Sequence, residues 1–525
     1  MTAPVSPVEL RQMLDDGGEL ALVDVREELI FSQSHLLLAR SVPLSRFELN
    51  FARLVPRRTT RIVLCDDDDG LAGRAAAILS RSGYSDVRIL AGGTAAWSAA
   101  GFELFSGVNV PSKAFGEYIE QAHHTPGVAA EELERLLRER ADLVVLDSRP
   151  FDEYARVSIP TATNVPGAEL VLRAREIAPS PQTTIVVNCA GRTRSIIGAQ
   201  SLINAGLPNK VMALRNGTMG WSLAGFACDS GKNRRAPGVS AATLAWAQTA
   251  ARRVAANCGI DRIDRKTLDA WRADDTRTLY LFDVRDPAEY EAGHVPGAIS
   301  APGGQLIQAT DQYAGTLGAR LVLIDDVEVR AAMTGSWLRQ MGWRDISVLV
   351  EKGTETGWAQ PQMLPGVTHP DAAIDCHNLE ALLSRGAAVV VDVSLSRNYL
   401  ARHIPGAWFA IRTRLAPALA KIPLAGTLVL TSEDGLVASL AVSEAAALCN
   451  FPVRFLEGGN AAWQAAGKGF AADANMADEA MDQWRKPYER SGDTKAAMAE
   501  YLAWETDLLP RIVRDGTLKF SHLDR

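Results

Sequence analysis

The sequence has no long apolar run, no excess of positive charge and no closely spaced cysteine pair. No apolar stretch approaches the roughly 18 residues that cross a bilayer, and the start, MTAPVSPVELRQML, lacks a basic segment followed by an apolar one. A formal net charge of −7 argues against broad capture of nucleic acid or of an anionic membrane. We therefore expect a cytoplasmic protein that binds neither nucleic acid nor membrane, so any anion site must be local.

Cysteine is scarce and scattered. Six cysteines occur in the chain and none forms a CxxC pair, which fits neither a disulfide framework nor a zinc site. We expect reduced thiols, each to be judged from its own surroundings. They are Cys65, Cys189, Cys228, Cys258, Cys376 and Cys449.

A fourfold repeat organises most of the 525 residues. Each copy has a β-type run that ends in an acid, a second β-type run, a helical stretch, a third β-type run, and a closing Gly/Trp phrase. By subtraction, 73, 74, 75 and 71 residues separate the acid from the tryptophan, a spacing close enough to mark a true repeat. The acids are Asp24, Asp147, Asp283 and Asp392, and the tryptophans are Trp97, Trp221, Trp358 and Trp463.

The pattern within each copy predicts an α/β fold. Short Val/Ile/Leu runs alternate with amphipathic stretches such as GRAAAILSRSG, which is typical of a small parallel sheet flanked by helices. We expect four domains at 1–107, 125–230, 258–362 and 372–470, and a helical extension at 475–525 packed on them. Linkers are expected near 105–127, 232–262 and 361–372. We also expect the first domain to pair with the second and the third with the fourth, and the closing tryptophans to fill cores.

The residue after the second β-type run distinguishes the copies. In the second copy it is Cys189, 17 residues before Gly206. The same spacing places Asp66 and Asp325 in the first and third copies, and Ser432 holds the matching position in the fourth. Cys65 lies one residue earlier, on the strand itself, beside acids that would raise the pKa of a thiol. Cys189 is therefore the candidate nucleophile.

The loop after Cys189, AGRTRS, joins a strand end to a helix start. Successive backbone N–H groups at such a joint form an anion-binding nest, and the helix N-terminus reinforces it. Glycine would permit a tight turn, the arginines would add positive charge, and the hydroxyls would donate hydrogen bonds to an anion. A partly exposed thiolate in this setting is a nucleophile, although a buried, unreactive cysteine is the alternative. The candidate anion-binding residues are Ala190, Gly191, Arg192, Thr193, Arg194 and Ser195.

These phrases together resemble four tandem rhodanese domains over roughly residues 1–470. The resemblance rests on the DVR-type openings, EYEAGHVPGA at 289–298, RHIPGA at 402–407, the CAGRTRS loop and the Gly/Trp closings. It implies a sulfurtransferase whose loop cysteine, here Cys189, carries sulfur as a persulfide cradled by the amides of residues 190–195. The first, third and fourth domains lack this cysteine and are expected to be inactive. The second domain keeps this cysteine but departs from the GHVPGA-type phrase, because it has VSIPTAT at 157–163.

The implied reaction moves sulfur in two steps and needs no metal or organic cofactor. The Cys189 thiolate takes sulfane sulfur from thiosulfate or a similar donor, and cyanide, a thiol or an acceptor protein then removes it. Arg192 and Arg194 would attract the donor, whereas Asp147 and Arg149 would form a structural pair. Two alternatives stay open. One is a phosphatase or arsenate reductase, whose Cys-to-Arg loop encloses more than the four residues between Cys189 and Arg194, and the other is a non-catalytic binding or scaffold protein.

Overall fold

Four parallel β-sheets follow one another along the chain in the computed structural model, which describes residues 3–360 and 362–523. The parts of the predicted segments at 1–2, 361 and 524–525 lie outside the described residues. In each sheet the order is first, fifth, fourth, second and third strand, and the last sheet gains a sixth strand. The strands are β1–β5 (Ala3–Val5, Ala21–Asp24, Arg40–Ser41, Ile62–Cys65, Val87–Leu90), β6–β10 (Gly127–Val128, Leu143–Asp147, Thr163–Asn164, Thr184–Asn188, Val211–Leu214), β11–β15 (Asp261–Ile263, Leu279–Asp283, Ile299–Ser300, Arg320–Asp325, Asp345–Val350) and β16–β21 (Ala373–Ile374, Ala388–Asp392, Trp408–Phe409, Thr427–Thr431, Val453–Leu456, Asn475–Met476).

Helices cover both faces of each sheet, so the predicted α/β fold class is confirmed. The helices of the first domain are α1–α5 (Pro7–Asp15, Glu28–Gln33, Phe47–Leu54, Leu71–Arg81, Gly93–Ala99). A linking helix, α6 (Val110–His123), leads to α7–α11 of the second domain (Ala130–Arg138, Phe151–Arg156, Leu170–Ile177, Thr193–Asn204, Gly217–Leu223). A second linking helix, α12 (Ala241–Asn257), leads to α13–α16 (Arg265–Ala273, Pro287–Ala292, Gly303–Gln308, Val329–Gln340). The fourth domain has α17–α21 (Cys376–Leu383, Ser396–Ala401, Leu415–Leu419, Leu436–Ala446, Gly459–Ala465), and α22 (Thr494–Asp515) follows.

The middle strand of each sheet is buried on both faces, which explains its unbroken apolar sequence. Because all strands are parallel, their carboxyl ends meet at one edge. There the Arg149 side chain donates from Nε to Asp147 Oδ1 at 2.9 Å and from Nη2 to Oδ2 at 2.6 Å. The first and third domains have the same buried pair, Arg26–Asp24 and Arg285–Asp283. The pair thus braces the strand edge in three domains.

Three of the four closing tryptophans fill cores as expected, and Trp358 does not. Trp97, Trp221 and Trp463 are buried, but Trp358 is 56 % exposed. In the described part of the third domain, no helix follows β15, so nothing turns this indole inwards.

The expected pairing of neighbouring domains is wrong. The second domain packs on the third through one continuous core that includes Phe115, Leu170 and Trp337, with α12 packed against both. The first domain instead packs on the fourth, where Arg412 donates to both Glu48 oxygens at 2.8 and 2.9 Å. The linker after the third domain crosses the first domain on its way, and its Leu364 is buried there. Long linkers thus allow non-neighbouring domains to pack together.

The carboxyl-terminal extension ties the domains together. Its β21 joins the fourth sheet beside β18, and α22 packs on α6 and α11. Between them, Met481 and Trp484 hydrogen bond to α2 of the first domain. The extension is therefore packed on the domains, as predicted, and it reaches the loop after β9. No helix in the described ranges is both long and apolar enough to cross a membrane.

Candidate active site

Cys189 lies immediately after β9, the middle strand of the second sheet, and α10 begins four residues later. The thiol is free of any disulfide, and the residue is 2 % exposed rather than partly exposed as the sequence predicts. It lines a cavity of about 90 Å³. A small molecule can enter this space, while a bulky one meets its walls.

In the first and third domains, the residue at the cysteine position fills its own loop. Asp66 Oδ1 accepts from the Asp68 N–H at 3.0 Å, and Oδ2 accepts from the Ala72 N–H at 2.9 Å. Asp325 accepts from the N–H groups of Val327, Arg330 and Ala331 at 3.3, 2.8 and 3.4 Å. A carboxylate thus occupies the anion nest of each loop.

The nest of N–H groups is filled more weakly in the fourth domain, and it is not filled at all in the second. Ser432 Oγ accepts from the Ala438 N–H at 3.3 Å. The matching N–H groups around Cys189 belong to Gly191, Arg194 and Ser195, and within the described ranges none of them has an acceptor. Unpaired N–H groups at a helix start are an anion site. Of the four nests, the one after Cys189 is therefore the one whose N–H groups have no acceptor in the described residues.

Both loop arginines are held by carboxylates. Arg192 donates from Nε and Nη2 to Glu117 at 2.6 and 2.7 Å, from Nη2 also to Glu120, and from Nη1 to Asn216 at 3.1 Å. Arg194 donates from Nη2 to Glu153 at 2.9 Å and from Nη1 to Gln305 at 2.9 Å. The role expected of these side chains, attraction of a donor, stays a prediction; in the structure they clamp the loop to its neighbours.

The Arg194–Glu153 contact has a counterpart in the third domain, where Arg330 contacts Glu289. Burial alone would raise the pKa of Glu153, but Arg194 and Lys486 hold it well below its ordinary value. Glu153 is thus an anion at any physiological pH, and it ties α8 to the loop.

The remaining loop residues are also used internally. The Ser195 hydroxyl donates to the Arg192 carbonyl at 2.8 Å, and the Thr193 hydroxyl donates to Glu505 at 3.4 Å. The Ala190 carbonyl accepts from the Met219 N–H at 3.0 Å. These contacts fix the loop, so its free donors are backbone N–H groups.

Gly191 leaves room for the ends of two side chains rather than making the tight turn expected from the sequence. Its backbone lies outside the left-handed region. A Cβ there would lie 2.9 Å from Met219 Cε and 3.1 Å from Glu505 Oε2. The glycine lets α11 and α22 approach the loop.

Much of the cavity wall comes from outside the second domain, which sequence reasoning missed. Segments that lie far from the loop in sequence converge on it because of tertiary packing, and the only sequence signal is the aromatic and basic run QWRKPYER. The contributors are Lys113 from α6, Gln308 from α15, and Trp484, Lys486, Tyr488 and Tyr501 from the extension.

Charges around the loop balance. Within the described residues, four cations contact four carboxylates: Lys113, Arg192, Arg194 and Lys486 contact Glu117, Glu120, Glu153 and Glu505. Lys113 Nζ lies 3.0 Å from Glu505 Oε1. Burial alone would lower the pKa of Lys113, but Glu505 holds it above its usual value.

The other cysteines lack such a setting. Cys65 is fully buried at the end of β4, and burial together with Asp24 raises the pKa of its thiol. Burial likewise raises the pKa of Cys258 to about 11. These two thiols are therefore poor nucleophiles at neutral pH.

Comparison with known proteins agrees with this geometry. The family model for the rhodanese-like domain matches four times, at residues 6–100, 129–224, 264–359 and 375–466. The crystal structure of a thiosulfate sulfurtransferase from Pseudomonas aeruginosa superposes with a TM-score of 0.96 at 48 % identity, covering 99 % of this chain and 100 % of that one. The resemblance seen in the sequence is thereby confirmed.

Curated relatives match single repeats. The probable adenylyltransferase/sulfurtransferase MoeZ of Mycobacterium tuberculosis is 34 % identical over 96 residues, which is 18 % of this chain and 24 % of that protein. The uncharacterized protein slr1261 of Synechocystis is 34 % identical over 107 residues, 20 % of this chain and 58 % of that protein. The chain thus spans about a quarter to just over half the length of these relatives.

Proposed function

The chain belongs to the rhodanese family, and we propose that this rhodanese-like transferase moves sulfane sulfur from thiosulfate or a similar anion to cyanide or a thiol through a persulfide on Cys189. One observation carries the proposal: of the four equivalent loops, the second alone combines a cysteine with backbone N–H groups that have no acceptor in the described part of the chain.

In the first step, the Cys189 thiolate attacks the outer sulfur of thiosulfate. A bond forms between Cys189 Sγ and the outer sulfur of thiosulfate. The S–S bond of thiosulfate breaks, and its electron pair leaves with sulfite. The product, Cys189–S–S⁻, carries its negative charge on the terminal sulfur. The N–H groups of Gly191, Arg194 and Ser195, together with the N-terminus of α10, stabilise that charge.

In the second step, a cyanide ion or a thiolate attacks the terminal sulfur. The Cys189 sulfur leaves as thiolate, so the enzyme returns to its starting state and thiocyanate or a new persulfide is released. This is covalent catalysis with two half-reactions. The clamped arginines and the Thr193–Glu505 contact keep the loop in place, since preorganised donors cost no rearrangement during the reaction.

The experiment is intact-mass spectrometry of the full chain after incubation with thiosulfate and removal of excess reagent. The wild type should gain one sulfur atom and lose it on addition of cyanide, while Cys189→Ser should gain none. Cys65→Ser is the matched control and should load like the wild type, because Cys65 lies in the buried strand.

Two results would overturn the proposal. Absence of the adduct together with hydrolysis of an aryl phosphate would favour the phosphatase. Absence of both activities would favour a binding protein.

A further inference from the structure

The anionic end of a sulfur donor needs its own hydrogen-bond donors, because the loop amides face the sulfur of Cys189. Thiosulfate carries two negative charges, and around the loop the four cations are already matched by four carboxylates. Ion pairing therefore leaves no unmatched cation among these four side chains to draw a dianion inwards. Selection must come from N–H groups that are still free to bind.

The loop arginines have few such groups left. Of the five N–H groups on each guanidinium, acceptors take four of Arg192 and three of Arg194. Swinging either side chain towards a ligand would break contacts to a buried carboxylate, which costs more than one new contact returns.

Lys486 is different. Its only hydrogen-bond acceptor in the described ranges is Glu153 Oε1, at 3.3 Å, and its side chain is 38 % exposed. An ammonium has three N–H donors, so two remain for a ligand. Lys486 lines the Cys189 cavity, and it is held there by the turn at Pro487–Glu489.

Lys113 lines the same cavity. Its side chain is 10 % exposed, contacts Glu505, and lies 5.7 Å from the ring centre of Tyr501. Beyond Trp484 and Tyr501, which line both spaces, a larger cavity of about 600 Å³ opens. Both lysines line the smaller of the two spaces, which is the one that holds Cys189.

We infer that Lys486, from the extension, and Lys113, from the linking helix α6, bind the sulfonate end of the sulfur donor and set the preference for an oxyanion donor. The inference rests on the proposed function. It places donor recognition outside the domain that holds the reactive cysteine.

The test separates the two half-reactions in the full chain. The rate of sulfur loading is measured against thiosulfate concentration for the wild type, Lys486→Gln and the double variant Lys113→Gln/Glu505→Gln, which leaves no unpaired buried charge. We expect the half-saturating thiosulfate concentration to rise about tenfold in Lys486→Gln, the loss of one charge-assisted hydrogen bond. Methanethiosulfonate, a monoanion that reacts in the same way, should show a smaller rise.

In Lys486→Gln, removal of sulfur from the loaded protein by an uncharged thiol, 2-mercaptoethanol, should proceed at the wild-type rate. Lys232→Gln is the charge control, because Lys232 lies on the surface beside Asp229, and it should leave loading unchanged. An unchanged half-saturating concentration in both lysine variants, or an equal rise in Lys232→Gln, refutes the inference. A wild type that takes up no sulfur refutes instead the proposed function.

Discussion

Replacing Asp66 by alanine should destabilise its loop far more than replacing Cys189 does, although the two residues hold equivalent positions. Asp66 is buried and accepts two backbone hydrogen bonds, at 3.0 and 2.9 Å. Each such bond to a charged group contributes about 1.5–3 kcal/mol. Cys189 accepts none from its loop in the described structure.

The net cost of Asp66→Ala is smaller than the sum of the two bonds, because three further acids follow. Asp66 raises the pKa of Asp69, after the larger effect of burial, so its removal relieves some repulsion. Relief of about 1 kcal/mol at the loop surface leaves a loss of roughly 2–5 kcal/mol. Cys189→Ala removes one small side chain and should cost about 1 kcal/mol.

Hydrogen exchange with mass spectrometry measures the stability of each loop separately. It does not require the four domains to unfold in a single transition. Peptides that cover residues 66–72 should exchange faster in Asp66→Ala, while peptides that cover 189–195 should be nearly unchanged in Cys189→Ala. Asp66→Asn, which retains one acceptor oxygen, should fall between. Equal effects in the two loops would show that the aspartate does not fill its nest, and the contrast on which the proposed function rests would be lost.

Two further predictions concern the loop support and the domain contacts. Gly217→Ala should reduce sulfur loading at least tenfold, because a Cβ at this residue (φ 54°) would lie 2.3 Å from the Cys189 carbonyl oxygen. Gly225→Ala (φ 87°) is the control, since a Cβ there would have nothing within 4 Å. It suffers only the left-handed strain of about 1–2 kcal/mol and should load normally. Equal loading in the two variants would contradict the role of Gly217. Burial raises the pKa of Glu27 to about 7. The protonated carboxyl therefore contributes its full stabilisation below about pH 4.5, and this contribution is lost as pH rises through 7. The free energy of unfolding falls by about 3 kcal/mol as a result. Thermal midpoints at pH 5 and pH 8 should therefore differ more in the wild type than in Glu27→Gln; an equal difference would exclude a raised pKa.

The repeat could be located from the sequence because its determinants are local. An apolar strand, an acid at its end and a turn before a helix are each encoded within a few residues, and four copies make the comparison of Cys189 with Asp66 and Asp325 direct. The choice of Cys189 as the candidate nucleophile follows from that alignment alone.

The cavity walls and the domain pairing could not be found in this way. Lys486 lies close to Glu153 only because β21 joins the fourth sheet and directs the chain back across the first domain. The sequence predicts that the loop arginines face a ligand. Their carboxylate partners cannot be recognised from the sequence, because a residue such as Glu117 lies on a segment with the features of a linker, far from the loop. Long-range contacts of this kind depend on how domains pack, and no local pattern reports them.

The three domains without the cysteine can now be given a physical role. The third supplies Gln305 to Arg194 and Gln308 to the cavity wall, and the fourth anchors the extension through β21 and through the Arg414–Asp478 contact at 3.1 Å. The first holds Trp484 through Glu28 at 3.1 Å. The filled nests give a physical reason to expect no sulfur transfer in the first and third domains: Asp66 and Asp325 already accept from the amides that the proposed function uses in the second domain.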